Sequence, residues 1–203
     1  MHIAPGPYHA DSPILGRPYT TLDQARSYFQ AHGTRIYTLH DVCNVIVPAY
    51  WRVCESVDVD PVLTLAQMAH ETGHLSSWWC QRPRRNPAGI GVTGRTRLTA
   101  PASGAWVLFD GVWVEGVSFA TWQDDSVPAH IGRLLGYALR DYQANPAQQA
   151  LINRALTYRV LPKHFRGVAL TWRGLNGRWA VPGTTYADKI ATIANALCAF
   201  RAA

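Results

Sequence analysis

The chain has 203 residues, of which 48% are hydrophobic and 11% aromatic, so it can bury a core of its own and falls within the size range of one domain. Charged residues make up only 16% of the chain, and there are eight Trp and nine Tyr residues. This balance excludes a disordered tail or a charged linker and leaves aromatic side chains over for a binding surface.

The net charge favours a polyanionic partner. Nineteen Lys and Arg residues stand against thirteen Asp and Glu residues, which gives a formal charge of +6. Attraction of this sign suits nucleic acid, an anionic membrane or an anionic cell wall. Arg82, Arg84 and Arg85 form the densest basic stretch, but Pro83 interrupts it. A solvated loop that happens to be basic explains the stretch as well as a binding patch does.

The four cysteines are Cys43, Cys54, Cys80 and Cys198, and none has CxxC spacing or a neighbouring His at a zinc-ligand spacing. We therefore expect no metal cluster. Cys43 and Cys54 share a predicted helical stretch, along which they are too far apart to form a disulfide. A disulfide between Cys80 and Cys198 is conceivable, and buried free thiols are an equally good interpretation. The cysteines therefore do not indicate whether the compartment is oxidising or reducing.

No segment approaches the ~20 apolar residues that span a bilayer, so we expect no membrane insertion. The stretch 1–18 has no apolar run of the kind that marks an export signal. A protein without such a signal is either released by another route, as the lytic enzymes of bacteriophages are, or is a mature fragment.

The first part of the chain is predicted to be helical after an irregular arm. Residues 1–20 are rich in Pro, Gly and His. Thr21 then suits a helix N-cap, with Gln24 at the capping-box position and Gly33 closing the helix. A second helix begins after Asp41 and is strained or kinked near its proline at position 48. The predicted helices of this part cover 22–32, 42–53 and 61–75.

The clearest helix start is Asp60-Pro61, an N-cap residue followed by proline at the first helical position. Turn-forming residues dominate 76–105, which we predict to be a long functional loop. The stretch 106–119 alternates around Asp110-Gly111, a strong signal for a two-stranded hairpin. Asn145 suits the cap of a later helix. The remaining predicted helices cover 127–142, 146–158 and 186–200, the last capped by Thr184 or Thr185.

These elements predict an α+β fold that is predominantly α, in which a helical domain carries a small β-hairpin flap over a cleft. We expect residues 1–20 to form an irregular N-terminal arm and residues 21–203 to form a single domain.

Glu71 is a candidate general acid. The segment 59–74 is mostly apolar, and Glu71 lies near its C-terminal end, where its side chain is neither fully solvated nor stabilised by the helix dipole. Both effects favour the protonated carboxyl, which is the form that protonates a glycosidic oxygen. The alternative is an exposed glutamate, as most helix glutamates are.

The same segment also contains HExxH, the zinc-peptidase signature, at residues 70–74. At this spacing, His70 and His74 share a helix face and can ligate zinc, with the glutamate between them as general base. The extended pattern fails, because Ser77 stands at the expected glycine and Cys80 at the expected third histidine. We predict no metal and no cofactor, and we keep a zinc metallopeptidase as an alternative.

Four motifs carry a family resemblance. The run 65–73, Leu-Ala-Gln-Met-Ala-His-Glu-Thr-Gly, and the run 86–91, Asn-Pro-Ala-Gly-Ile-Gly, resemble the core of the glucosaminidases of glycoside hydrolase family 73. The pattern of that family is LAQ-x(3)-E-[ST]-G followed by N-x-[FA]-G-I. The runs 119–122, Phe-Ala-Thr-Trp, and 186–190, Tyr-Ala-Asp-Lys-Ile, fit the same template. The match covers 57–200 and leaves 1–56 uncovered.

The resemblance implies a lysozyme-like fold, peptidoglycan as the substrate and cleavage after N-acetylglucosamine. It makes Glu71 the catalytic acid and places Tyr186 near the scissile sugar as a further catalytic residue. It makes Asn86, Gly89 and Ile90 part of the cleft floor.

Aromatic side chains are expected to line the groove, because their faces stack on pyranose rings. Trp78 and Trp79 directly follow the catalytic helix. Trp122 stands where the family usually has Tyr, and Trp179 begins the segment that replaces the family's Tyr-Ala-Thr-Asp-Pro. For Trp122 and Tyr186, packing in the core is an equally good interpretation, since both lie near helix starts with apolar neighbours.

A glycosidase normally uses two carboxyl groups. The family often places the second glutamate at the start of the hairpin, where this chain has Trp106-Val107-Leu108-Phe109 and no carboxylate. Glu115, on the hairpin that is expected to overhang the cleft, is the candidate. If it points to solvent, the 2-acetamido group of the substrate can act as the nucleophile instead, a route that needs only one acid.

The predicted function is that of an endo-β-N-acetylglucosaminidase, an autolysin or endolysin. We expect it to act as a monomer on peptidoglycan strands at the bacterial cell wall, extracellular or periplasmic, and not to bind nucleic acid. A muramidase or a lytic transglycosylase would share the fold and the single acid, and a non-catalytic wall-binding module is a further alternative.

Overall fold

The structure is a computed structural model that describes residues 6–32 and 36–201. Most of the regular structure in these residues is helical. The α-helices are α1 Leu22–Ala31, α2 Val47–Ser56, α3 Pro61–Thr72, α4 Val127–Ala138, α5 Pro146–Tyr158 and α6 Tyr186–Ala199. Short 3-10 turns occur at Trp78–Cys80, Lys163–Phe165 and Trp172–Leu175.

Helix α3 is buried along most of its length and packs against α2 and α6. The Asp60 carboxylate caps it by accepting hydrogen bonds from the N–H groups of Val62 and Leu63, as the sequence predicts. The helix ends at Thr72, before the predicted end near residue 75, because Gly73 takes a left-handed conformation with φ of 55° that closes it.

Both α2 and α4 follow a turn of π-helix. Asp41–Ile46 leads into α2, and Trp122–Ser126 leads into α4. Each α-helix has proline near its start, Pro48 in α2 and Pro128 in α4. Proline has no N–H and interrupts the hydrogen-bond ladder, and the wider π turn accommodates the interruption. The strain predicted near Pro48 therefore takes the form of a change in helix type.

The later helices lie near their predicted bounds. Asn145 caps α5 in a complete capping box with Gln148. Helix α4 ends at Ala138 and not at the predicted residue 142, because Leu139 turns to an extended conformation and keeps its side chain buried. Thr185 precedes α6 but makes no side-chain capping hydrogen bond.

Residues 6–20 contain no helix or paired strand, and they pack against the helical body. Ile14 is fully buried, and single β-bridges join this segment to distant parts of the chain. The hydroxyl of Tyr8 donates to the Asp60 carboxylate at 3.0 Å. The irregular segment therefore shares a core with the helices.

Helix α1 is joined to the end of the chain by a glutamine. Thr21 accepts a hydrogen bond from the backbone N–H of Gln24 at 3.2 Å, as predicted for the N-cap. The predicted capping box is incomplete, because the Gln24 side chain donates instead to carbonyl oxygens at the end of α6, including that of Phe200 at 2.9 Å. Gly33, predicted to close the helix, lies outside the described residues.

The β flap is an antiparallel sheet. Its strands are β1 Thr96–Arg97, β2 Trp106–Phe109 and β3 Val112–Glu115, in the spatial order β1-β3-β2. Asp110 and Gly111 both have positive φ, 47° and 76°, as a type I′ turn requires. The predicted hairpin is confirmed, and β1 adds a short strand within the stretch predicted to be loop.

The described residues confirm the predicted class, α+β and predominantly α, with a small antiparallel flap beside a helical body. None of their helices has the length and apolar character needed to cross a bilayer. The four cysteines all carry free thiols, so the conceivable disulfide between Cys80 and Cys198 is absent.

Candidate functional site

Glu71 lies in the last turn of α3, where a side chain from α6 holds its carboxyl. The hydroxyl of Tyr186 donates to Glu71 Oε1 at 2.5 Å. Burial raises the pKa of Glu71, while hydrogen bonds from the side chains of Tyr186 and Trp179 lower it, and the net direction is upward. Desolvation therefore dominates, because it disfavours the charged carboxylate.

Tyr186 connects Glu71 to a chain of polar side chains inside the protein. Nε2 of Gln67 donates to the Tyr186 oxygen at 2.7 Å, and Oε1 of Gln67 lies 2.9 Å from Nε2 of His130. On the other side of the imidazole, Nδ1 lies 2.8 Å from the hydroxyl of Tyr50. Gln67, His130 and Tyr50 are fully buried, so their polar groups depend on one another for hydrogen bonds.

These hydrogen bonds have one consistent direction. The amide nitrogen of Gln67 can only donate and its oxygen can only accept, so Nε2 of His130 carries the proton and Nδ1 accepts from Tyr50. Burial lowers the pKa of His130 to about 3, so the ring is neutral in the pH range of most enzymes. Every donor in this series of hydrogen bonds therefore points toward Glu71.

The two histidines of the HExxH pattern do not share a helix face. The ring of His70 packs against Tyr186, with 5.6 Å between centroids. His74 follows the end of the helix with φ of 53°, and its Nε2 lies 3.1 Å from the Tyr28 hydroxyl. Among residues 6–32 and 36–201, no three His, Cys, Asp or Glu side chains are grouped to hold a metal ion. The geometry that zinc ligation by this motif requires is lost because α3 ends at Thr72.

Asn86 organises the loop that follows the 3-10 turn. Its Nδ2 donates to the carbonyl oxygens of Ile90 and Val117 at 2.8 and 3.0 Å. Its Oδ1 accepts from the N–H of Ile90 at 2.9 Å. The hydrogen-bonding groups of the Asn86 side chain are therefore used to hold the loop in shape, and Asn86 and Ile90 are both buried. Gly89 is exposed, with φ of 62° and open space where a Cβ would lie.

A cavity of about 230 Å³ opens beside this loop. It is lined by residues 88–92, by Tyr137, by Trp179 and by three arginines, which we call the arginine pocket. The arginines are Arg133, Arg159 and Arg178. Trp179 is also close enough to Glu71 to lower its pKa, so the cavity begins one side chain away from the carboxyl.

Trp78 and Trp79 join the turn after α3 to the flap. Their rings are nearly perpendicular with centroids 4.8 Å apart, and Trp78 also meets Phe109 of β2 at 4.8 Å. The Trp79 ring lies so close to Gly116 that a Cβ there would be 2.7 Å from two of its carbons and closer still to a third. Both tryptophans are half-buried, so each holds the flap and leaves part of its ring accessible.

The basic stretch after these tryptophans is engaged in structural contacts. The Arg84 guanidinium stacks on Trp78, with its carbon 3.6 Å from the ring centroid, and its Nε donates to the Trp78 carbonyl. Arg82 pairs with Asp41 at 2.6 Å, and Arg85 donates to two backbone carbonyls. Neither a free basic loop nor an open binding patch describes this stretch.

The remaining predicted groove aromatics differ in burial. Trp122 is 4% exposed, and its indole N–H donates to the Tyr37 hydroxyl at 3.1 Å, which is a position in the core. Tyr186 is equally buried, yet its hydroxyl reaches Glu71. Trp179 is half-buried and lines the cavity.

Glu115 lies at the end of β3 with its carboxylate engaged inside the flap. It accepts from the Thr93 hydroxyl and lies 3.9 Å from the Arg95 guanidinium. The Glu115 side chain is 17% exposed. In the part of the chain that the structure describes, no hydrogen bond or ion pair joins it to Glu71 or Tyr186.

Comparison with solved structures finds autolysins. The chain is similar to the catalytic domain of the autolysin Auto from Listeria monocytogenes, at 20% identity over 89% of this chain and 96% of that one, with a TM-score of 0.44. It is also similar to S. aureus autolysin E, at 14% identity over 93% and 70% of the two chains, with a TM-score of 0.46. A second structure of autolysin E, in complex with the muropeptide NAM-L-Ala-D-iGlu, matches at 13% identity over 93% and 71%, also with a TM-score of 0.46. No family model and no curated protein matches the chain.

The motifs predict Glu71 and Tyr186 but not the side chains behind them. Gln67 lies four residues before Glu71 and therefore on the same helix face, which is a usable signal. His130 is 63 residues from Gln67 and 80 residues from Tyr50, and no local pattern joins them. The arginines of the pocket come from separate segments, so the sequence does not reveal that they meet.

Proposed function

We propose that the protein is a peptidoglycan hydrolase, an endo-β-N-acetylglucosaminidase in which Glu71 is the general acid. The observation that carries the proposal is the hydrogen bond from Tyr186 to Glu71, because it orients a desolvated carboxyl beside an open cavity. The motifs at 65–73 and 86–91 support the choice of substrate through their resemblance to the glucosaminidases.

The surroundings of Glu71 support a role as proton donor. The raised pKa keeps the carboxyl protonated at a pH where an exposed glutamate is ionised. Since Tyr186 donates to Oε1, that oxygen is an acceptor, and the acid proton resides on Oε2. Oε2 gives this proton to the glycosidic oxygen as the bond breaks, so that the leaving group departs as an alcohol.

Peptidoglycan strands fit the remaining features of the surface. The formal charge of +6 attracts a wall polymer that carries carboxylates and phosphates. The half-buried rings of Trp78, Trp79 and Trp179 offer faces on which sugars stack. The protein is proposed to act as a monomer at the bacterial cell wall, without a cofactor. The glycan strand is proposed to lie on the groove floor formed by Gly89 and its loop.

The nucleophile is proposed to be the 2-acetamido oxygen of the substrate. Glu115, the candidate from the sequence, already binds Thr93 and Arg95. The acetamido oxygen bonds to the anomeric carbon as the glycosidic C–O bond breaks and Glu71 delivers its proton. Water then attacks the same carbon, the oxazoline ring opens, and Glu71 takes a proton from that water.

Digestion of purified peptidoglycan tests the proposal. Wild-type protein should create new reducing ends that are N-acetylglucosamine, identified by mass spectrometry after borohydride reduction. Muramic acid ends would assign a muramidase, and anhydro-muramic ends a lytic transglycosylase. Pull-down on murein without any new reducing end would identify a wall-binding module.

The Glu71→Gln substitution tests the acid itself. It should lower the rate about 100-fold to 10,000-fold and leave the circular dichroism spectrum unchanged. Glu55→Gln is the matched control, because Glu55 is exposed and accepts from the Trp51 indole N–H at 2.8 Å, which Gln can also do. Substantial activity in the Glu71 variant would overturn the mechanism. Inhibition by a chelator that zinc reverses would point to the peptidase alternative.

A further inference from the structure

The arginine pocket concentrates positive charge that no carboxylate of the described residues neutralises. Arg133, Arg159 and Arg178 line one cavity, and none of them takes part in an ion pair within residues 6–32 and 36–201. Six other arginines in these ranges each form an ion pair with an aspartate. These are Arg17, Arg26, Arg82, Arg154, Arg166 and Arg173.

Arg133 is the innermost of the three. It is half-buried, and its Nη1 donates to the backbone carbonyl of Arg159 at 3.1 Å. Its guanidinium carbon lies 5.7 Å from the ring centroid of Tyr137 and 5.9 Å from that of Trp179. Burial lowers the pKa of Arg133, the neighbouring Tyr137 raises it and the charge of Arg159 lowers it, and the net direction is downward. A partly desolvated cation beside a second cation is costly unless an anion joins them.

The pocket lies next to the proposed catalytic centre. Trp179 lines it and is also close enough to Glu71 to lower the pKa of that carboxyl. Gly89, whose missing side chain leaves open space, forms part of the same lining. A group that branches from a glycan strand can therefore enter the pocket while the strand stays bound at Glu71.

We propose that Arg133, Arg159 and Arg178 bind a carboxylate of the peptide that branches from the glycan strand beside the scissile bond. This inference rests on the proposed function and adds a substrate preference to it, for strands that carry peptides. The guanidinium fork matches a carboxylate in two hydrogen bonds. The sugars of the strand offer no such charge where the lactyl group is amidated by the peptide. Phosphates of wall polymers share the oxyanion chemistry, so the experiment separates the two sources.

The test compares two substrates, peptidoglycan with its peptides and glycan strands freed of peptides by an amidase, both stripped of phosphate polymers with hydrofluoric acid. Because the amidase leaves a free carboxylate on each lactyl group, these carboxylates are then capped as methylamides. The variants are Arg178→Gln, Arg159→Gln and their double substitution, with Arg133→Lys as the variant that keeps the charge but loses the fork. Arg52→Gln is the matched control, since Arg52 is exposed on α2 and does not line the pocket.

The ratio of kcat/KM for peptide-bearing strands to that for peptide-free strands should fall about tenfold in the double variant and stay at the wild-type value in Arg52→Gln. An unchanged ratio, or an equal loss on both substrates, would overturn the inference. A loss of activity that appears only when phosphate polymers are left on the wall would show that the pocket binds a phosphate and not a carboxylate.

Measurements of ligand binding test the inference independently of catalysis. Glu71→Gln protein should bind a soluble muropeptide about tenfold more tightly than the same disaccharide with a methylamide on its lactyl group in place of the peptide, and adding the double Arg substitution should abolish that difference. If the wild-type protein cleaves neither substrate, the proposed function fails. The binding difference still decides whether the pocket recognises a peptide carboxylate, and equal binding of the two ligands refutes it.

Discussion

The Nε2–H of His130 donates to Oε1 of Gln67 at 2.9 Å, and through this bond a buried histidine of α4 is linked to the acid at the end of α3. Each donor in the series polarises the next, so the hydrogen bond that reaches Glu71 is stronger than an isolated one. Because His130 stays neutral, the series orients Tyr186 without placing a charge behind it.

Replacing Gln67 by Leu should therefore impair catalysis as well as stability. The substitution leaves the Nε2–H of His130 and the oxygen of Tyr186 without their buried partners, which costs about 1–3 kcal/mol. Tyr186 then loses the bond that fixes its hydroxyl toward Glu71. We expect kcat to fall about tenfold with KM little changed, measured below the melting temperature of the variant.

Gln148→Leu is the control for this experiment. Gln148 is also buried, and its side chain donates to the Val57 carbonyl at 3.0 Å, away from Glu71. It should lose a similar amount of stability and keep kcat. Equal kcat values for the two variants would show that Gln67 has a structural role alone.

Removing the Tyr186 hydroxyl should move the pH profile. The hydrogen bond from Tyr186 lowers the pKa of Glu71, so Tyr186→Phe raises that pKa further. Activity requires protonated Glu71 and declines as pH rises through its pKa, so the alkaline limb of kcat/KM should shift to higher pH. The maximal rate should fall about tenfold with the loss of one charge-assisted hydrogen bond.

Tyr28→Phe controls for the loss of a buried tyrosine hydroxyl, since Tyr28 lies near His74 and not Glu71. Its alkaline limb should coincide with that of the wild type. An alkaline limb of Tyr186→Phe that stays in place or moves to lower pH would contradict the assignment of Glu71 as the group that titrates.

Local signals account for the parts of the fold that the sequence predicts well. Asp60-Pro61 and Asp110-Gly111 each determine a backbone geometry within a few residues, so both the start of α3 and the flap turn are where they are expected. The end of α3 is predicted too late, because the left-handed cap at Gly73 competes with an apolar pattern that continues to Leu75. Strand β1 is too short to show alternation.

Contacts between distant segments account for what the sequence does not predict. The irregular stretch before α1 lacks an apolar run, yet Ile14 is fully buried, because the helices supply its surroundings. Glu71 is predictable from its position at a helix end. The neutral His130 behind it depends on burial by elements far apart in the chain.

Glu115→Gln should retain activity within about tenfold of the wild type if the substrate supplies the nucleophile. Glutamine at this position can still accept from the Thr93 hydroxyl, and only the weak attraction to Arg95 at 3.9 Å is lost. Peptidoglycan that has been chemically N-deacetylated should resist the wild-type protein. Loss of activity by a factor comparable to Glu71→Gln would make Glu115 the second catalytic carboxylate.

The packing of α4 against α5 should tolerate no side chain at Gly132. A Cβ there would lie 2.6 Å from the carbonyl carbon of Leu151 and closer still to its oxygen, and the backbone of α5 cannot give way as a flexible side chain can. Gly132→Ala should therefore destabilise the protein by about 1–3 kcal/mol, despite the helix propensity of alanine. Since Gly132 follows His130 by two residues, the displaced helix should also lower kcat.

Gly136→Ala is the control in the same helix. Its Cβ would meet Cδ2 of Leu161 at 3.2 Å, the end of a side chain that can shift, and alanine adds helix propensity of up to about 1 kcal/mol. Thermal melts should place this variant near the wild type and Gly132→Ala several degrees lower, by about 2–4 °C for each kcal/mol. A Gly132→Ala melting temperature equal to that of Gly136→Ala would show that α4 and α5 are free to separate, and the position of His130 would then not depend on their contact.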